Sequence, residues 1–211
     1  MRNKVLIVYS GGFDSTAVLL ERYKTTNSEI HLIYFDYGQK VAPLELHHVR
    51  YWKETLDVHL EIVKLPKLSW SGSSMLSGKA QFGNDYQDEY VEARNMIFLS
   101  YALSYCEANS IDEILLGFIS TGNDYPDASP LFVDMMNLVA RNISGVNIHA
   151  PFSHLSKLHV MTKLLSIGVD VNDVLNHTIT CNTPIKGKPC GECDSCNELN
   201  SLKLIFQKDC N

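Results

Sequence analysis

No run of apolar residues in this 211-residue chain is long enough to cross a bilayer, and no repeat or low-complexity tract interrupts it. Basic residues are in the minority: 18 lysines and arginines stand against 24 aspartates and glutamates, a formal charge of −6. Neutralising the phosphates of a nucleic acid takes a basic surface, so direct nucleic-acid binding is not expected. The opening Met-Arg-Asn-Lys leads straight into a β-branched run without the apolar core of a signal peptide, so a cytoplasmic protein with no membrane association is expected. Tryptophan is scarce, at two residues, and cysteine stands at six. Four of those cysteines fall within residues 181–196, which in a reducing compartment points to a metal site rather than a disulfide framework. At 45% hydrophobic and 20% charged, the composition suits one sizeable core and a small appendage.

Short apolar segments alternate with longer ones of helical period. Strands are expected at 4–9, 30–35, 60–65, 112–118 and 146–150, and helices at 14–25, 43–56, 89–108, 129–143 and 156–168. That alternation predicts an α/β fold in which helices cover both faces of a parallel sheet. Ligands of such sheets sit at the carboxyl ends of the strands, near the point where strand order reverses. Residues 66–88, rich in serine and glycine, break the rhythm. So long a stretch without an element reads equally as a lid over a site or as a surface loop.

The first strand hands over to the first helix through Ser10-Gly11-Gly12-Phe13-Asp14-Ser15-Thr16. A helix N-terminus offers unpaired N–H groups and the positive end of its dipole, glycines admit a ligand close to the backbone, and hydroxyls add donors. The loop is therefore a candidate anion cradle. It lacks the lysine of a Walker A loop. The plain alternative is that Asp14 and Ser15 merely cap the helix.

Near the other end, Cys181-x8-Cys190-x2-Cys193-x2-Cys196 supplies the four thiolates of a closed structural zinc site. An iron–sulfur cluster takes the same ligands, and the spacing leaves both open. Cys106 lies in an apolar helical stretch and reads as core, and Cys210 as a free thiol.

The Ser-Gly-Gly-x-Asp-Ser loop resembles the pyrophosphate loop (PP-loop) of the N-type ATP pyrophosphatases. Five further features accompany it: Tyr37-Gly38-Gln39, Arg94-Asn95, Tyr125-Pro126-Asp127 with Phe132, Ser156-Lys157 and the closing cysteines. With them the chain is similar to the 7-cyano-7-deazaguanine synthase family over nearly everything except 66–88. The resemblance implies a Rossmann-like, adenine nucleotide α-hydrolase-like fold with a five-stranded parallel sheet. Residues 1–175 would form the PP-loop domain and 176–211 a zinc-binding segment packed on it. It also implies an ATP-dependent, AMP-forming carbon–nitrogen ligase. In the family reaction ATP adenylates the carboxylate of 7-carboxy-7-deazaguanine and ammonia displaces AMP to give the amide. A second adenylation dehydrates the amide to the nitrile, preQ0, the queuosine precursor. ATP, Mg²⁺, structural Zn²⁺ and a homodimer follow by resemblance.

Carried over residue by residue, Ser10, Gly11, Gly12, Phe13, Asp14, Ser15 and Thr16 would hold ATP, with Tyr37 and Gln39 at its border. Asp14, Ser15, Arg94 and Lys157 would be catalytic. Arg94, Asn95, Tyr125 and Asp127 would bind the deazaguanine, and Cys181, Cys190, Cys193 and Cys196 the metal. The two carboxylate oxygens of Asp127 suit the N1–H and exocyclic amine of a guanine-like base. Arg94, set in an apolar stretch, is either such a functional group or one arm of a buried ion pair.

Three departures from the family pattern fall near the expected acceptor pocket. After Gln39 the chain reads Lys40-Val41-Ala42-Pro43-Leu44-Glu45, with a histidine missing and the glutamate one place late. Asp124 stands directly before Tyr125, and the arginine after the last cysteine gives way to "NELNSL". They leave room for a diverged relative that stops at the amide or conjugates the deazaguanine to another amine, such as a protein N-terminus in antiphage defence. A non-catalytic nucleotide- and zinc-binding module is the alternative of a different class.

Overall fold

Strand β1 (Lys4–Val8) sends Val5 and Ile7 into one apolar cluster and Leu6 into another. A strand covered on both faces requires that alternation. In the computed structural model, which describes residues 3–68, 70–77, 89–119 and 125–206, β1 is the middle strand. β2 (Glu29–Asp36) and β4 (Glu113–Leu116) flank it, Val5 lying opposite Ile30 and Glu113. β3 (His59–Lys64) and β5 (Asn147–His149) complete a sheet of order β3-β2-β1-β4-β5, and every pair is parallel.

On one face pack α1 (Phe13–Thr25), α2 (Ala42–Leu56), α6 (Lys157–Ser166), α7 (Val171–Asn176) and α8 (Asp194–Phe206). Leu19, Trp52, Leu164, Leu175 and Leu202 fill that side. The Trp52 indole N–H donates to the His177 carbonyl at 2.7 Å, which lets so large a side chain be buried without an orphaned donor. On the other face α4 (Arg94–Asn109) and α5 (Pro130–Ile143) bury Phe98, Leu99, Ala102, Val133 and Ala140. Cys106 is fully buried there, as expected of a core thiol. No helix among the described residues is long and apolar enough to cross a membrane.

The expected elements are present, with ends displaced where local chemistry decides them. α4 starts at Arg94 rather than 89, because Ala93 adopts a left-handed φ of +51° that no α-helix continues through. α5 and α6 begin one residue late, since Ser129 and Ser156 serve as N-caps, accepting from Phe132 N and His159 N. β4 stops at Leu116, short of Gly117. Within 66–77 the chain is not structureless: Ser74–Ser77 form a short α3, and Leu68, Met75 and Leu76 are buried in the second cluster. Residue 69 and residues 78–88 of the expected loop, Asp124 and Cys210 lie outside the described residues.

Candidate active site

β1 and β4 lie side by side, while the chain runs on from β1 to β2 in one direction and from β4 to β5 in the other. Strand order therefore reverses between them, and a cleft of about 310 Å³ opens at their carboxyl ends. Gly11 turns the chain there with φ +74°, and a Cβ on it would stand 3.0 Å from the Glu45 carbonyl oxygen. Gly12 then N-caps α1, and no side chain bonds the first-turn amides. Those N–H groups are left with the positive end of the helix dipole at the cleft. Capping by Asp14 or Ser15 is thus not what the loop is for. The serines brace it instead: Gly12 N donates to Ser10 Oγ (3.3 Å), and Ser15 Oγ, 3.3 Å from Ser10 Oγ, donates to the Gly12 carbonyl (3.2 Å).

Two of the residues expected at ATP turn their side chains away from the cleft. Thr16 is fully buried on the core side of α1, its Oγ1 3.0 Å from the Tyr9 hydroxyl, because the fourth helical position has rotated away from the cleft. The Phe13 side chain is likewise wholly in the core, so only its backbone is available to a phosphate.

Gly117, at the end of β4, has no counterpart in the sequence reading. A Cβ there would lie 2.5 Å from Ser15 N and Cα and 2.9 Å from the Asp14 carbonyl carbon. Only glycine lets the first turn of α1 rest on the end of β4. The signal was present as a glycine closing the apolar run Glu113–Leu116.

Charge is concentrated at the cleft. Lys157 Nζ, whose side chain is only 11% exposed, lies 3.8 Å from Asp14 Oδ1 and 2.6 Å from Glu198 Oε2. Burial pushes the Asp14 carboxyl up to about 6; Lys157 opposes that rise and Glu198 adds to it. Glu198, from the stretch that replaces the family's arginine, was not anticipated as part of the site.

Arg94 lines the opposite wall. Its Nη1 donates to the Tyr37 hydroxyl at 2.8 Å, and its guanidinium sits 5.6 Å and 5.9 Å from the ring centres of Tyr37 and Phe98. Among the described residues its Nε is buried without a hydrogen-bond partner, and no carboxylate comes within ion-pair distance. The buried ion pair weighed from the sequence is therefore absent among the described residues.

Gln39 lines the cleft, but its amide is committed within the protein. Oε1 accepts from Tyr37 N (2.9 Å), while Nε2 donates to Glu45 Oε2 (2.7 Å) and to the Tyr34 hydroxyl (2.9 Å). The displaced Glu45 also accepts from Tyr34, at 2.9 Å. The altered 40–45 stretch is thus wired into the wall of the cleft.

Asn95 and Tyr125 also line the cleft, and Tyr125 stacks on Tyr90 at 5.6 Å. Asp127 stands just behind them, 7% exposed, with Oδ2 accepting from Asn95 N at 2.9 Å and its carbonyl from Asn95 Nδ2 at 3.0 Å. One carboxylate oxygen is therefore spent on the first turn of α4, and Oδ1 is the one left for a ligand.

The four clustered cysteines come together, all four sulfurs within 4.8 Å of one another, with Cys181–Cys190 at 3.6 Å and Cys190–Cys196 at 3.9 Å. A tetrahedral zinc with bonds of about 2.3 Å separates its sulfurs by about 3.8 Å, so the donor set fits such an ion. Cys190 N donates to Cys181 Sγ (3.2 Å), and Cys193 N and Thr183 Oγ1 donate to Cys190 Sγ (3.3 and 3.6 Å). Burial acts to raise the Cys190 thiol, yet donors from Glu192, Thr183 and Cys193 outweigh it and bring the group down to about 6. The segment buttresses the loop directly: Ile179 N donates to the Gly11 carbonyl at 3.0 Å, and Ile179, Cys181 and Cys196 pack on Val41.

An uncapped helix N-terminus at a switch point, with an aspartate and two cations around it, suits an enzyme of the ATP-using PP-loop class. Residues 4–201 match the family model described as queuosine biosynthesis protein QueC, and the chain belongs to that family. Similar relatives are named 7-cyano-7-deazaguanine synthase. That of Syntrophus aciditrophicus is 35% identical, covering 93% of this chain and 90% of its own. That of Leptospira biflexa is 33% identical, over 90% and 86%. That of Ruthia magnifica is 33% identical, over 97% and 93%.

Proposed function

We propose that this protein is a 7-cyano-7-deazaguanine synthase, joining 7-carboxy-7-deazaguanine to ammonia at the expense of ATP and releasing AMP and pyrophosphate. The observation that carries the reading is Arg94, a cation with a buried, unpartnered Nε across the same cleft as the uncapped N-terminus of α1. One end suits a phosphate chain and the other a carboxylate. A carboxylate is a poor electrophile, and transfer of AMP makes its oxygen a leaving group. The chain's own part is positioning and charge stabilisation.

In this proposal the N–H groups of Phe13 and Asp14 hold the departing pyrophosphate at the loop that Ser10 and Ser15 brace. Ionised Asp14 places Mg²⁺, and Lys157 screens the phosphates. Arg94 holds the acceptor carboxylate, and Asn95, Tyr125 and the free oxygen of Asp127 address the base. Tyr37 and Gln39 keep Arg94 and the wall in place. Residues 1–175 form the catalytic body, and 176–211 form the segment that Zn²⁺ would fold through its four thiolates.

Mass spectrometry after incubation with ATP, Mg²⁺, 7-carboxy-7-deazaguanine and ammonium tests this directly. The expected result is nitrile with two AMP per product; amide without nitrile, or no AMP at all, would overturn it.

Two expectations accompany the proposal. Stripping the metal with a chelator, or replacing Cys193 by serine, is expected to lower ATP affinity as well as stability, because Ile179 ties the cysteine segment to Gly11. Calorimetric ATP titration of the stripped protein checks this. For Asp14 the folded pKa lies above the unfolded one, so the folded state holds the proton more tightly and stability falls as pH rises from about 4 to about 6. Asp14→Asn is therefore expected to melt higher than the wild type above pH 6 and level with it below 4, while losing Mg²⁺-dependent turnover. Melting curves across that pH range give the answer.

The homodimer also belongs to this proposal. Leu131, Met135 and Leu138 share one face of α5 and are 60–67% exposed, an apolar strip suited to a second copy. Leu138→Glu is expected to yield monomers in sedimentation without changing the melting point.

A further inference from the structure

At the opposite end of the sheet from the cleft, the amino ends of β2 and β3 bring Glu29, His31 and His59 together. Glu29 and His31 are two apart on β2, hence on one face, and His59 is the partner of His31 in the parallel register of β3. One donor atom from each lies within 4.8 Å of the others. The site faces α4, on the side of Ile33 and Phe35, and stands about 20 Å along the strands from the loop at their carboxyl ends. We propose that these three residues form a second metal site, for a borderline divalent ion such as Zn²⁺ or Co²⁺, separate from the four cysteines and independent of the nucleotide chemistry.

The donor set is the first argument. Two imidazoles and a carboxylate are a usual complement for such ions, with a solvent position left open. The spacing is the second: His31 Nε2 stands 2.9 Å from Glu29 Oε1, close to the separation of two ligands about 90° apart on an ion at about 2.1 Å. His59 is exposed and stacked on His31 at 4.5 Å, free to tilt its ring toward the same ion.

The third argument is the support behind His31. Its other ring nitrogen, Nδ1, lies 3.3 Å from the Tyr105 hydroxyl of α4. A tyrosine hydroxyl both donates and accepts, so it serves either tautomer. Without metal, Nε2–H donates to Glu29 while Nδ1 accepts from Tyr105. With metal, the ring proton moves to Nδ1 and is donated to Tyr105, leaving the Nε2 lone pair for the ion. No proton need leave the imidazole, and the ring is already oriented, as ligating histidines are by their second partner. Lys4 Nζ, 3.7 Å from Glu29 Oε1 and donating to the Asn109 carbonyl at 3.2 Å, is the competing cation. A bound ion would add a side-chain link between the edge strand β3 and β2 at His59, whose side chain makes no hydrogen bond among the described residues.

Cobalt titration of the metal-stripped protein tests the site with a readout that separates it from the cysteines. The expected result is two equivalents bound: one with near-ultraviolet thiolate-to-cobalt bands, and one adding only weak visible bands. His59→Ala, at an exposed position that does not threaten the fold, is expected to weaken the second equivalent at least tenfold and leave the thiolate bands intact. Lys4→Ala is expected to strengthen it. A wild type that takes one equivalent only, or a second equivalent that survives both His59→Ala and His31→Ala, would overturn the assignment.

Discussion

Gly117→Ala is expected to cost on the order of 3 kcal/mol of stability and to weaken ATP binding at least tenfold. One added methyl group causes this because its carbon would stand 2.5 Å from Ser15 N and Cα, both backbone atoms with no rotamer to change. The first turn of α1 must lift from β4, and the N–H groups proposed to cradle the phosphate lift with it. For a chain of this size that loss lowers the melting temperature by roughly 6–12 °C. Gly168→Ala is the control: its φ of +76° makes alanine unfavourable, but no atom lies within 4 Å of the new carbon. It is expected to cost about 1 kcal/mol and to leave ATP affinity unchanged. Equal losses in the two variants would show that close contact at Gly117 is not what holds the loop.

Arg94→Ala is expected to do the reverse, removing activity with little loss of stability. Loss of a preorganised cation from the cleft should lower kcat/KM for the carboxylate substrate roughly 10²–10³-fold. The melting point should fall by only a few degrees: the guanidinium makes no ion pair among the described residues and its Nε is unpartnered, so the loss falls mainly on its bond to Tyr37 and its contacts with the Tyr37 and Phe98 rings. Arg94→Lys restores the charge but not the two-pronged donor, so partial recovery in kcat/KM, with ATP affinity unchanged throughout, is the expected pattern. Steady-state kinetics with each substrate varied in turn, alongside thermal melts, distinguish the roles. A fall in ATP affinity matching the fall in kcat/KM would move Arg94 from the acceptor to the nucleotide.

Much of the architecture was legible because it is periodic. The two-residue alternation of Val5, Leu6 and Ile7 and the helical spacing in α1 and α2 each reflect a face that must be buried, and burial is what sequence patterns record. The loop and the four cysteines were legible for another reason: their chemistry depends on neighbours in sequence. Gly117 and Glu198 were not, since each matters through a contact made across the fold, to Ser15 and to Lys157; Glu45 was visible as a displaced glutamate, but not its bond to Gln39. That the Thr16 side chain faces the core was not legible either, because membership of a motif says nothing about which side of the helix the fourth residue faces. Asp127 was placed at the site, but its bond to Asn95 N depends on where α4 begins, and that is fixed by the left-handed turn at Ala93.

The bond from Ile179 N to the Gly11 carbonyl joins the first loop of the protein to a segment 168 positions downstream. On a ribosome the strand β1 and helix α1 emerge first, with the local serine bonds of their loop, yet the loop lacks its bond to Ile179 until that residue has cleared the exit tunnel. Nascent chains stalled before that point should hold their glycine loop open and ignore ATP, even with the helix formed. The order of synthesis thus makes the link between the glycine loop and the cysteine segment one of the last contacts the chain can form.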